Sequence, residues 1–175
     1  MTTYAIDATH STVGFTVRHA GIGKTRGHFT EFAGTIEVTD PTTPTGATAT
    51  ATIQAASVDT GNADRDNHLR SGDFFDVEQF PEWTFTTTST TGTPDSFTLA
   101  GDLTIHGVTR PVEIATEFTG TATDPFGAER AAFEGTTTLS RKAFGLTWNA
   151  ALEAGGVLVG DKVTVTLEIE AVKQD

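Results

Sequence analysis

The feature that most constrains this chain is a two-residue alternation of apolar and polar side chains, repeated along most of its length. Val13, Phe15, Val17 and His19 share one phase, while Thr12, Gly14, Thr16 and Arg18 occupy the other. A period of two sends successive side chains to opposite faces, so each such run reads as a strand with one buried face. The pattern returns over residues 29–38, where Gly34 would tolerate a bend, and over residues 47–55, whose inner face is mostly small. It recurs over residues 83–88, 97–105, 108–118 (after a turn at His106–Gly107), 133–139 and 163–171. Eight strands result, with a short further piece at residues 4–6. No strand–helix rhythm separates them, so the sheet is expected to be antiparallel, built as a closed barrel or a sandwich.

Composition supports this. Threonine occurs 36 times and phenylalanine 12 times, against one methionine. Thr and Phe suit a pleated, half-buried surface better than a helix. With 37% hydrophobic and 19% charged residues the chain has the material for a core, and its 175 residues are expected to form a single domain over residues 1–175. A turn is expected at residues 40–46, where Pro and Gly cluster.

One segment breaks the alternation. Residues 63–71 are polar, lack Gly and Pro, and follow the capping candidates Thr60 and Asn62, so they read as one short helix. Asp64 with His68 and Asp66 with Arg70 stand four apart and would support it. Phe74, Phe75, Val77 and Phe80 then form an apolar cluster before Pro81.

Charge and motif content exclude several functions. A net charge of −12 and a pI near 4.6 oppose nucleic-acid binding. No cysteine is present, so thiolate chemistry and disulfides are out. No run approaches the ~20 apolar residues of a membrane span, and no leader precedes Tyr4, so the expected location is cytoplasmic. Gly23-Lys24-Thr25 imitates a phosphate-binding loop, but Arg18 stands where that loop needs a glycine, and strand pattern follows. His10, His19, His28, His68 and His106 show no metal-ligand spacing. Asp7, His10 and Ser11 are triad residue types, but neighbours on a strand would face apart. Glu113, Glu117, Glu168 and Glu170 all take outward phases. No catalytic group, cofactor or metal is expected.

Eight-stranded barrels either fill their interior with side chains or hold one small ligand. The inward candidates here mix large Phe and Trp with small Ala and Gly, and periodicity alone leaves both outcomes open. His19 takes the apolar phase, as a satisfied core histidine or as a polar anchor in a ligand tunnel. Arg65, His68 and Arg70 form the densest cluster of donors to an anionic head group.

The ordered motifs resemble the YceI-like family of lipid-binding proteins. They include Ile6-Asp7 with His10-Ser11, Val13-x-Phe-x-Val-x-His19, Gly27-x-Phe, Phe32-x-Gly34 and Ser57-Val-Asp-Thr60. Arg65-Asp-x-His-Leu-Arg70-Ser, Asp73-Phe-Phe-Asp76, Phe80-Pro81, Gly101-Asp-Leu-Thr-Ile-His-Gly-Val-Thr-Arg-Pro-Val112 and Ser140-Arg-x-x-Phe-Gly-Leu146 continue the series. The resemblance, over residues 4–173, implies an eight-stranded, lipocalin-like antiparallel barrel. Its hydrophobic tunnel would carry a long isoprenoid (a polyprenyl, its phosphate or a quinone-type derivative) or a similar lipid, without catalysis. The lining residues it implies are Phe15, Val17, His19, Phe29, Phe32, Leu69, Phe74, Phe75, Phe80, Trp83, Phe85, Leu103, Ile105 and Phe144. Head-group candidates are Arg65, His68 and Arg70. Many relatives carry a secretion signal that is not seen here. Residues 148–160, with Gly155-Gly156, read as a mobile loop shaping the tunnel mouth. A barrel exterior rich in Thr and Val leaves a homodimer open.

Overall fold

The computed structural model describes residues 1–40, 46–152 and 156–175. Along these run β1 (Thr2–Ile6), β2 (Thr12–His19), β3 (Gly23–Phe29), β4 (Phe32–Val38), β5 (Thr48–Gln54) and β6 (Val58–Asp59). Helix α1 (Ala63–Arg70) follows, then β7 (Glu82–Gly92), β8 (Ser96–Ile105), β9 (Val108–Thr123), β10 (Glu129–Ser140) and β11 (Val159–Lys173). Neighbours run β1–β4–β5–β7–β8–β9–β10–β11, and β11 pairs back onto β1 with Ala171 opposite Ile6, closing an antiparallel barrel of eight strands. Closure removes the sheet edge that an open sheet would have to protect.

The expected number of ring strands is right, but one member differs. β1, expected as a minor extra piece, closes the ring. β2, the most legible strand in the sequence, pairs with the other part of the same β11 edge, Val13 opposite Leu167 and Val17 opposite Val163. From there the sheet continues outward through β3 and β6. The single strand expected over residues 29–38 is also two. The chain breaks at Thr30–Glu31, where the Thr30 N–H donates to Ser57 O (3.1 Å) and the Glu31 N–H to Ser57 Oγ (3.0 Å). Gly34 makes no bend. It lies inside β4, where a Cβ would run into the backbone oxygen of Thr50 and the side chain of Ile6.

Two buried clusters occupy the interior. Tyr4, Ile36, Val38, Phe97, Ala131, Phe133 and Ala171 fill the end where β1 closes the ring. Val13, Phe29, Phe74, Phe75, Trp83, Phe85, Ile105, Val112, Ile114, Phe144 and Leu146 belong to the other end, beneath α1. The expected turn at residues 40–46 falls largely outside the described residues, which resume at Gly46.

Helix α1 forms where expected, capped by the Asn62 side chain, which accepts from the Arg65 N–H at 3.0 Å. The expected i,i+4 pairs do not form. Asp66 is buried and accepts instead from the Thr60 N–H (2.9 Å) and Thr60 hydroxyl (2.5 Å), while His68 meets Asp73 at 2.9 Å. The helix is thus tied to the strand before it and the loop after it, because backbone groups there need partners more than its own charges do.

Candidate functional site

The barrel contains a cavity of about 270 Å³ whose wall is almost entirely carbon. Phe15 and Val17 reach it from β2, Phe29 from β3 and Phe32 from β4; Leu69, Phe74 and Phe75 come from α1 and the following loop. Trp83 and Phe85 of β7, Leu103 and Ile105 of β8, and Phe144 just after β10 complete the expected residues that border it. At the end beneath α1 the rings touch one another. Trp83 packs edge-on against Phe29 and Phe75, each at 4.8 Å between centroids, and Phe15 lies 5.7 Å from Phe29. The cavity then extends toward Ile36, Phe97 and Phe133 at the far end of the barrel.

Five of the expected site residues lie elsewhere. His19 shares the inward phase of Val17, yet it is exposed, because β2 has passed the cavity by that point and is entering its turn with β3. Phe80 packs edge-on against His106 at 4.7 Å and fills the space beside Gly107, outside the wall. Arg65 donates to Thr60 Oγ1 (2.7 Å) and Thr60 O (2.8 Å), and Arg70 to Ala56 O (2.8 Å), Val58 O (3.2 Å) and Asn67 Oδ1 (3.0 Å). His68 is packed between Phe74 and Trp148, with centroids 5.0 and 4.7 Å away. None of these three borders the cavity; the arginines bond to backbone and side-chain oxygens around α1.

The cation that does border the cavity is Arg141, 5% exposed. Its guanidinium donates to the backbone oxygens of Leu146 (2.7 Å), Trp148 (2.9 Å), Val159 (3.0 Å) and Gly160 (2.8 Å). Burial lowers its pKa, and the nearby Asp161 carboxylate opposes that shift. Asp161 is itself shifted: burial pushes it up, but bonds from the Ser140 hydroxyl and the Lys142 N–H outweigh this and lower it. Arg141 therefore works as a clamp on the chain leading into β11. The described part of that segment, expected as a mobile loop, folds back on itself: Ala151 bridges Val157, and the Leu158 N–H donates to Ala150 O at 2.9 Å. Gly155, half of the pair behind that expectation, lies outside the described residues.

Sequence reasoning passed over Arg141, which reads as an ordinary strand-end cation until the carbonyls that surround it are known. It also passed over Val112, Ile114, Leu167 and Ile169, which line the cavity from β9 and β11 and whose phase was already visible. Of the three triad residue types, Asp7 and His10 meet while Ser11 turns elsewhere. The chain makes a 3₁₀ turn there rather than a strand, and His10 Nδ1 lies 2.8 Å from Asp7 Oδ2, while the Ser11 hydroxyl donates to Glu170 O. Among the described residues no three His, Asp or Glu side chains converge as a metal would require, and no helix is long and apolar enough to cross a membrane.

A family model described as the YceI-like domain matches residues 4–171. A UPF0312 protein of Ectopseudomonas mendocina is 39% identical over 174 residues, covering 98% of this chain and 87% of its own. Among solved structures, the Campylobacter jejuni YCEI protein superposes with a TM-score of 0.76 at 28% identity over 90% of each chain. A polyisoprenoid binding domain from Saccharophagus degradans has the same fold, with a TM-score of 0.73 at 14% identity over 98% of each chain.

Proposed function

We propose, since the chain belongs to the YceI-like family, that this protein binds one long apolar molecule inside its barrel and stores or carries it without chemical change. The observation that carries the reading is the cavity itself, about 270 Å³ with a wall almost entirely of carbon. A filled barrel would leave no such space, and water gains little from a surface without polar partners. Burying a methylene is worth about 0.8 kcal/mol, so eight methylenes supply about 6 kcal/mol before ordering costs. Binding therefore needs few polar contacts.

The ligand class is a long-chain isoprenoid or a lipid of similar shape. The polyisoprenoid-binding neighbour supports it by analogy of fold, and the apolar wall of the cavity supports it physically. Among the described residues the wall contains no histidine or aspartate, and the one glutamate bordering it, Glu134, is solvent-exposed. That inventory suits holding a ligand rather than transforming one.

The test is organic extraction of the natively purified, unheated protein followed by mass spectrometry. A stoichiometric prenyl or acyl species is expected. A clean extract from folded protein that also ignores a fluorescent prenyl probe overturns the reading and leaves a barrel with another role.

A further inference from the structure

The cations of this acidic chain are not spread evenly. No Asp or Glu falls between Asp7 and Glu31, the longest run without an acid, and that run carries Arg18, Lys24 and Arg26. The pairing of β2 with β3 gathers them, all exposed, on one outer face. Arg18 stands opposite Lys24 and Thr16 opposite Arg26, on the phase that points away from the cavity-lining Phe15 and Val17. Lys162, exposed in the irregular part of β11 that faces Arg18, adds a fourth cation. Among the described residues none of the four forms an ion pair. Like charges directly opposite on neighbouring strands cost stability, and an external anion would relieve that cost.

At the apex of the same hairpin an apolar side chain is held out in water. Ala20 (φ 53°) and Gly21 (φ 72°) turn the chain, and Ile22 is 90% exposed. Val157, 49% exposed, lies on the segment tied to this turn, where the Ala20 N–H donates to Leu158 O at 2.7 Å. The tip stands at the α1 end of the barrel: His19 pairs with Val159, which borders the cavity and accepts from Asn149, and the adjoining Trp148 packs on His68. Phe126, exposed at the β9–β10 turn, has no such cations beside it; its neighbour is Asp124, and Arg130 there is spent on three carboxylates. Protection of a sheet edge does not explain the pattern. β3 is an edge beyond His28, where either sign of charge would serve, but Arg18 and Lys162 lie on strands paired on both sides.

We propose that this hairpin docks the protein on an anionic lipid surface, with Ile22 and Val157 seated among the acyl chains and the four cations on head-group phosphates. A protein partner fits worse. A stable protein interface needs about 1,000 Å² of complementary surface, and a projecting turn with two apolar side chains offers little of it. A bilayer interface accepts such a tip without a matching groove. An anionic leaflet favours each Lys or Arg near its surface by about fivefold. It also repels the acidic remainder of the chain, so the approach is oriented tip first. Docking sets the α1 end of the cavity beside the bilayer, where a carrier of the kind proposed above exchanges its ligand, but the docking itself does not depend on that role.

Co-sedimentation with vesicles of phosphatidylglycerol and phosphatidylcholine in equal parts tests this, beside vesicles of phosphatidylcholine alone. The protein is expected to bind the anionic vesicles only, and to be released by salt. Lys24→Gln combined with Arg26→Gln is expected to weaken binding roughly 25-fold, and Ile22→Ser roughly tenfold. Lys173→Gln, which removes an exposed cation at the β1 end, is expected to change nothing. All these positions are exposed, and circular dichroism checks that the barrel stays folded. No binding to anionic vesicles at low salt, or binding that the hairpin variants leave intact, overturns the proposal. Dimerisation that Ile22→Ser abolishes, without vesicle binding, assigns the tip to a second copy and overturns it too. A protein that ignores vesicles but takes up a fluorescent prenyl probe keeps the binding role and loses the docking. One that binds vesicles but takes up no probe keeps the docking and loses the binding role.

Discussion

Phe15 and Gly27 stand opposite each other in register on β2 and β3, and the phenyl ring occupies the space that a side chain at 27 would need. A Cβ there would lie 2.5 Å from Phe15 Cζ and 2.9 Å from Thr60 Cγ2. The glycine thus sets the position of a cavity-lining ring from the far side. Gly27→Ala is expected to push that ring into the cavity, costing about 1–3 kcal/mol as overpacking and reducing the capacity for an apolar probe. Urea denaturation and a probe titration on the same variant check both effects. Unchanged stability with full probe capacity would show that Phe15 can move elsewhere.

Arg141 clamps the chain between β10 and β11 through four backbone oxygens. Arg141→Gln cannot span them, and stranded buried acceptors cost about 1–3 kcal/mol each when unrelieved. With partial access to water, a loss of about 2–4 kcal/mol is expected. Arg141→Lys should recover only part of it, since an ammonium lacks the planar fork. The denaturation midpoints of the two variants measure this, and equality of Lys with wild type would refute the clamp.

Tyr4 is the chain's one tyrosine, 1% exposed, and its hydroxyl donates to Glu129 Oε1 at 2.8 Å. Burial, helped by the Glu129 carboxylate, pushes its pKa up to about 12. Because the folded value is raised, the associated stability is complete below the unfolded value of about 10 and is lost as pH rises toward 12. Tyrosinate absorbance should therefore titrate near 12 in the folded protein and near 10 in urea, with no other tyrosine to obscure it.

Arg130 gathers three carboxylates at the β1 end: Asp7 at 2.8 Å, Glu170 at 2.9 Å and Asp124 at 3.0 Å. Its guanidinium holds the Asp7 carboxyl well below the usual range, with bonds from Thr9 and His10 adding to the effect. A depressed pKa gives stability that is present above the unfolded value near 4 and lost as pH falls below it. Melting temperature should fall progressively as pH drops below about 4, and Arg130→Gln should flatten that limb. An acid limb of undiminished slope in the variant would place the sensitivity in other groups.

Much of the cavity wall was legible in the sequence. Phe15, Val17, Trp83, Phe85, Leu103 and Ile105 border the cavity on the phase that alternation assigned them. His19 marks the limit of that reasoning. It has the same phase as Val17 two residues earlier, but period two reports a face and not how far along the strand the interior extends. The charged residues were less legible still. Arg65 and Arg70 read as donors to an anionic head group, and no spacing showed that they bond to backbone oxygens of the segment leading into α1.

The sequence by itself determined that the chain makes strands with one buried face, a single short helix, and enough aromatic surface for a core. Alternation is local chemistry, decided by which side of a pleat each residue takes. Tertiary structure alone decided which strand closes the ring, since β1 and β2 compete for one edge of β11 and only the three-dimensional path assigns each its share. It alone decided that Arg141 is buried while Arg65 is not, and that Trp83 keeps an unpaired N–H inside the barrel. Hydrogen-bond partners distant in sequence are fixed by where the backbone passes, and no spacing along the chain records that path.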